Sequence, residues 1–187
     1  MLDLKPIVHA ILREYVLPQH GTHGVAHWAR VLENGVRLAE VTGANIEVVQ
    51  LFAVLHDSQR VTEETDPSHG IRGASFAAEL LGKLFDLNDD DFDLLFVACV
   101  GHMDNPTDDD PTVQTCWDAN RLDLGRVGAR IDQSWLGATT LENPTIMRFA
   151  DERASSHVVP ELIRQDWAIE TAGWMEMVGV EIGRKAR

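Results

Sequence analysis

Apolar residues recur every three or four positions in almost every segment of this chain, and no run alternates apolar with polar over the length of a strand. A helix with one apolar stripe has to bury it against another helix. The pattern therefore predicts an all-α protein, a single-domain helical bundle. Leu4, Ile7, Val8, Ile11, Leu12, Tyr15 and Val16 form the first stripe, behind Asp3 as cap and Pro6 in the first turn. A second helix runs from about Val25 to Val41 and stops before Gly43, with Val25, Trp28, Val31, Leu32 and Leu38 on its apolar side. Asn45 caps a third helix carrying Ile46, Val49, Ala53 and Val54. Ser68 caps a fourth, with Phe76, Ala77, Leu80, Leu81 and Leu84. Asn88, with Asp91 three residues on, opens a fifth that ends at Gly101-His102. Val113, Cys116, Leu122 and Leu124 mark a short sixth, and Asn143-Pro144 and Pro160 mark later starts. A last helix is expected to carry Leu162, Ile163, Trp167, Ile169, Trp174 and Met177, while Gly125 to Ala138 has no readable pattern.

The third helix ends in an unusual way. Phe52-Ala53-Val54-Leu55 runs into His56-Asp57, with Arg60 three residues further on. Core helices normally stop at Gly, Asn or Lys facing solvent. Neutral imidazole beside carboxylate instead suits zinc, iron, manganese or nickel. Neighbours on a helix point about 100° apart, so one ion reaches both only at a helix end or in a crease between helices. Taken alone, a His-Asp pair is more simply a solvated Asp beside a His that caps the last carbonyls. The other candidate ligands change that balance: His27, His69, His102 and Asp118 lie on further elements, and each His sits at or near a helix end. His27 and Arg30 share a helix face, and His23, four residues before His27, extends it.

Composition narrows the function classes. The chain has 187 residues, 44% of them hydrophobic, so it can bury a core. With 30 Asp+Glu against 16 Lys+Arg the net charge is −14. Such a surface repels nucleic-acid backbones and anionic membranes, so duplex nucleic acid is not the expected partner. An anionic small substrate remains compatible where arginines and a metal reverse the sign inside a cleft. The N-terminus has no basic-then-apolar leader, and no apolar run approaches membrane-spanning length. Cys99 and Cys116 make no disulfide framework. The expectation is a soluble, cytoplasmic protein with no membrane partner.

The ordered set His27-Trp28-Ala29-Arg30-Val31, Leu55-His56-Asp57 and Asp118-Ala119-Asn120-Arg121-Leu122-Asp123 resembles the HD-domain superfamily of metal-dependent phosphohydrolases. The resemblance covers roughly residues 20–130, and residues 131–187 are expected to complete the same domain. The segment Asp66-Pro67-Ser68-His69-Gly70-Ile71-Arg72-Gly73-Ala74 is similar to the His-Gly segment of members that hold two metals. The resemblance implies His27, His56, Asp57 and Asp118 as metal ligands. His69 and His102 either complete a second metal site or act as phosphate donors and general acid. Many members read Asp-Ala-Asp where this chain reads Asp118-Ala119-Asn120. We place the last ligand at Asp118, because a Trp-Asp start resembles some members; if it aligns with Asn120, an amide oxygen replaces a carboxylate and metal affinity drops.

The implied function is hydrolysis of a small phosphorylated molecule, including a nucleotide, by water activated on one or two divalent transition metals (Mn, Fe, Ni, Co or Zn). Arg30, Arg60, Arg72 and Arg121 adjoin the ligands. Arg72 and Arg121 carry the best motif match for holding phosphate bidentately. The predicted catalytic set is Asp57, His69, Arg72, His102 and Arg121. Glu63, Glu64 and Asp66 follow the His-Asp pair, either orienting water and ligands or simply solvated. Trp117 either packs the core or walls a pocket for a base, and His9, His20 and His157 have no assigned role. Two rivals stand beside this reading: a di-iron oxygenase on the same scaffold, and a non-catalytic module that binds a nucleotide or partner helix. The C-terminal tryptophans and methionines either line the substrate pocket or form a homodimer face.

Overall fold

Helix α3 (Ile46–Leu55) is apolar but for Glu47 and Gln50, and from Val48 to Leu55 every residue is buried. A helix without a polar face has to be surrounded. Helices α2 (Val25–Thr42), α5 (Asp89–Gly101) and α6 (Pro111–Arg121) pack around it, and α4 (His69–Leu80) lies against α5 and touches α3. In this computed structural model, which describes residues 2–174, the remaining helices are α1 (Lys5–Glu14), α7 (Ala138–Leu141), α8 (Pro144–Ser155) and α9 (Leu162–Gln165). The described residues contain no strand; Leu81 and Phe85 form an isolated bridge. The all-α expectation therefore holds. One core runs through the bundle, with Trp28, Phe52, Leu55, Leu95, Trp117 and Leu122 fully buried. Each contributes roughly 1.5–3 kcal/mol.

Local chemistry sets the helix ends. Asn45 Oδ1 accepts from the Glu47 and Val48 amides, and Asn88 Oδ1 from the Asp91 amide at 2.9 Å. Asp110 Oδ1 does the same for Thr112 and Val113. Each such cap is worth about 1 kcal/mol. Ser68 precedes α4 as expected, but its side chain makes no capping bond. The stretch from Gly125 to Ala138 folds as two short 3-10 turns, Leu124–Val127 and Gln133–Trp135, leading into α7.

The expected last helix does not form as one element. The Asp166 and Trp167 amides both bond back to Leu162 O, at 2.7 and 3.1 Å, which closes α9 after one turn. Ala168 then takes a left-handed φ of 55°. Trp167 and Ile169 still reach the core, from irregular chain, and Trp174 is buried too. Apolar spacing recorded their burial, not their conformation. Met177 lies outside the described residues.

Two glycines let α4 come close. A Cβ on Gly70 would lie 2.3 Å from Cys99 O, and one on Gly73 would lie 2.5 Å from Leu55 O and 3.1 Å from His56 O. Both obstacles are backbone, which cannot swing aside. Ala is the better helix former by about 1 kcal/mol, but overpacking costs roughly 1–3 kcal/mol, so the clash decides the sign. Gly73→Ala is expected to lower the urea midpoint and to reduce the number of metal ions bound, by moving His69 away from Asp57. A stabilised variant with unchanged metal content would contradict this.

Candidate metal centre

Four elements deliver imidazoles to one point. His27 stands in the first turn of α2, His56 caps the C-terminus of α3, His69 opens α4 and His102 caps α5. Asp57, the first residue beyond His56, lies among them, and all five are buried. Because α3 ends inside the bundle, the His56-Asp57 pair projects into the interior rather than into water.

The rings are fixed by what their Nδ1 atoms touch. His27 Nδ1–H donates to Asp123 Oδ2 at 2.7 Å, and His56 Nδ1–H to Phe52 O at 3.1 Å. His102 Nδ1–H donates to Cys99 O at 2.7 Å, and His69 Nδ1–H to Asp66 O. Every Nδ1 faces an acceptor and so carries the proton, which leaves each Nε2 with a lone pair pointing inward. Backbone carbonyls and a carboxylate behind ligating imidazoles are the usual means of holding a metal-binding tautomer.

The inward atoms form two groups that share Asp57. In the first, His27 Nε2 and His56 Nε2 are 3.1 Å apart and lie 3.5 and 3.6 Å from Asp57 Oδ2. In the second, His69 Nε2 and His102 Nε2 are 2.8 Å apart and lie 3.0 and 3.8 Å from Asp57 Oδ1. With metal–ligand bonds of about 2.1 Å, donors sit about 3.0 Å apart at a right angle and about 3.4 Å apart at the tetrahedral angle. The first group is close to that spacing, His102 Nε2 in the second stands further out at 3.8 Å, and each group could hold an ion. Asp57 Oδ1 is buried without a hydrogen-bond donor, a costly state that a cation relieves.

Electrostatics keep the ligands ready. Burial lowers the pKa of His56 to about 4 and that of His102 to about 3, and takes His27 well below its usual value. Burial pushes the Asp57 carboxyl up, and the imidazoles of His56, His69 and His27 around it overcome this and hold it below the usual carboxylate range. Ligating imidazoles must be neutral. Ordinary histidines, titrating near 6.5, would release metal through mildly acid pH. Here the depressed values leave His56 and His102 unprotonated until far lower. Metal held at the His27–His56–Asp57 position is expected to be retained after dialysis from pH 7.5 to about 5 and lost as the pH drops through about 4. Loss beginning near 6.5 would contradict this assignment.

Asp118, which the sequence placed among the ligands, lies outside both groups. Its Oδ1 accepts from Gln114 Nε2 at 2.6 Å, and its Oδ2 from the Gly137 amide at 3.0 Å and Thr140 Oγ1 at 2.5 Å. It ties α6 to the start of α7, and burial raises its pKa. Asp118 and Asn120 lie two residues apart on one helix and so point in different directions. It is Asn120 that, with His102, lines a cavity of about 280 Å³ walled by Met103 and Trp135. Trp117 is core, with its indole N–H on Ala98 O.

The arginines sort differently from their motif ranking. Arg121 donates to the carbonyls of Pro106, Trp135 and Asn105 and lies over the Trp117 and Trp135 rings, so it fastens two loops. Arg72 pairs with Asp66 at 2.6 Å. Arg60 is the one of the four placed at the cluster, with Nη1 3.2 Å from His69 Nε2 and 3.6 Å from Asp57 Oδ1. Arg30 is buried against Asp123, with Nε to Oδ1 at 2.7 Å and Nη2 to Oδ2 at 3.1 Å.

Asp123 and Arg126 had no role in the sequence reading. Asp123 is fully buried, accepts the hydrogen bond from His27 Nδ1–H and faces both Arg30 and Arg126. The Arg-Leu-Asp part of the motif held that signal. Arg126 stands three residues past Asp123, in a stretch without periodicity, and nothing marked it. The described residues include no helix long and apolar enough to cross a membrane. No protein-family model, curated protein or solved structure matches this chain.

Proposed function

We propose that this chain is a metal-dependent phosphohydrolase of the HD-domain type, acting on a small phosphorylated molecule at a two-metal centre. The observation that carries the reading is the inward turn of four Nε2 lone pairs onto the two oxygens of one carboxylate, so that Asp57 would serve both ions. His27, His56 and Asp57 would hold one ion, and Asp57, His69 and His102 the other. Such ions lower the pKa of water and polarise a phosphoryl oxygen when bound. Arg60 sits where it can neutralise the charge that grows on the phosphoryl oxygens. The cavity beside His102, lined by Asn120, Met103 and Trp135, would take the organic part of the substrate, with Arg130 at its rim.

Four imidazoles to one carboxylate favour zinc, iron, cobalt or nickel over magnesium, which prefers oxygen ligands. Elemental analysis of the purified protein tests the reading, together with phosphate release from small phosphomonoesters and nucleotides. About two transition-metal ions per chain, with hydrolysis lost on chelation and restored by metal, are expected. Failure to bind manganese, nickel, cobalt or zinc would leave a non-catalytic binding module as the better account. The same nitrogen-rich set also suits a di-iron oxygenase; two irons per chain, with oxygen consumed and no phosphate released, would select that chemistry.

A further inference from the structure

The two ion positions differ in the charges that surround them. Near the first group, Arg126 is met by a carboxylate other than Asp57. Its Nε lies 3.7 Å from Asp123 Oδ2, the oxygen that also accepts from His27 Nδ1–H. At the second group stands Arg60, whose side chain is 5% exposed. Its Nη1 is 3.2 Å from His69 Nε2 and 3.4 Å from His69 Nδ1, so the guanidinium lies against the imidazole itself. Among the described residues Asp57 is the one carboxylate in ion-pair reach of Arg60, with Oδ1 3.6 Å from Nη1.

The guanidinium is held in that place by backbone. Its Nη2 donates to Glu64 O at 2.7 Å and its Nε to Thr62 O at 3.3 Å. The loop that carries those carbonyls is fastened at its base, where Val61 N–H donates to Asp66 Oδ2 at 3.0 Å and Arg72 pairs with the same oxygen. Carbonyls satisfy N–H groups but bring no net charge. The positive charge of Arg60 is therefore fixed at the second group and offset there by Asp57, the carboxylate that an ion at this position would also use. An ion bonded to His69 Nε2 would lie no more than about 5 Å from Nη1. Two cations so close in a buried site repel, because little water is there to screen them.

We infer that Arg60 guards the second ion position. The position formed by His27, His56 and Asp57 fills first and tightly; the one formed by Asp57, His69 and His102 fills second and weakly. An anion bound at Arg60 relieves the guard by meeting its charge, and a phosphoryl group is such an anion. The second ion and the phosphoryl group then bind cooperatively, each tightening the other by the same factor. This rests on the two-ion part of the reading above and adds a condition to it: the centre is completed by the arrival of the phosphorylated ligand.

The test is cobalt binding to the full chain by equilibrium dialysis, without and with methylphosphonate, a phosphoryl anion whose phosphorus–carbon bond does not hydrolyse. The parent is expected to take two ions in two steps, the second weaker by at least about tenfold, with methylphosphonate narrowing the gap. Arg60→Met and Arg60→Gln, which remove the charge, should close most of the gap and lose most of the response to methylphosphonate. Arg60→Lys, which keeps the charge without the bonds to the loop, should retain the gap. Coordination of methylphosphonate by the metal alone would act on the parent and the neutral variants alike. Two equal steps in the parent, an unchanged gap in both neutral variants, or the same response to methylphosphonate in parent and neutral variants would overturn the guard and leave the two-ion reading standing. A chain that holds one ion in every variant, with or without methylphosphonate, overturns the second position itself, and one that binds none overturns the metal centre.

Discussion

Asp57→Asn is expected to remove metal binding at both candidate positions while leaving the metal-free fold intact. Both ion positions draw on Asp57, one through Oδ2 and the other through Oδ1, so a single substitution removes a charged ligand from each. Two neutral imidazoles remain at each position, too few for a closed site. Under the proposed function, phosphate release should fall to background. Stability should respond in the opposite sense without metal. Asp57 Oδ1 has no hydrogen-bond donor, whereas an amide brings N–H groups to facing nitrogen lone pairs. The chelated variant should therefore melt at or above the chelated parent. Added metal should raise only the parent, by about 2.7 kcal/mol at a hundredfold excess over Kd. Elemental analysis and paired thermal melts decide it; a variant that keeps both ions would remove Asp57 from the bridging position.

Asp123→Ala is expected to be the most destabilising single change near the site. It leaves Arg30 and Arg126 buried without their shared counter-charge, and His27 Nδ1 without its acceptor. Breaking a buried pair in this way costs about 3–5 kcal/mol, a large part of a typical domain's stability. Burial pushes the Asp123 carboxyl up, and Arg30 and His27 overcome this and hold it far below the usual carboxylate range. Its stabilising effect is therefore complete at neutral pH and is lost as the pH falls from the ordinary carboxylate value toward the folded one. Asp123→Asn separates the two roles. It keeps the shape of the side chain, and it should lower metal affinity about 10–100-fold by freeing the His27 tautomer. Denaturant melts of the Ala variant and metal titrations of the Asn variant are the measurements. Wild-type stability in the first would show that the arginines have other partners.

The helices were legible because their signals are local. Asn45 and Asn88 cap where the sequence places caps, and the stripe of α2 lies where apolar spacing puts it, while Val16, counted on the first stripe, stands past the end of α1 and is exposed. The histidines of the site were legible for a similar reason, each standing at a helix end beside residues of matching chemistry. Asp118 and Asn120 were not separable, because two positions two residues apart on one helix differ only in direction, and direction depends on which neighbours the helix meets. Arg72 and Arg121 stood out by motif, yet a guanidinium goes to the nearest carbonyls and carboxylates, and these came from loops distant in sequence.

By itself the sequence determined the all-α class, the central apolar helix that has to end inside the protein, and the residue types able to hold a metal there. Each follows from spacing along a single segment. Tertiary structure alone decided that the five candidate ligands make two groups sharing one carboxylate, that Asp118 lies outside both while Asp123 stands behind His27, and that Arg60 is the arginine at the cluster. Those outcomes depend on how closely α4 can approach α3 and α5 across Gly70 and Gly73, a matter of a few ångströms between segments. Helical periodicity states which face of a helix is buried; only the packed bundle sets which atoms that face meets.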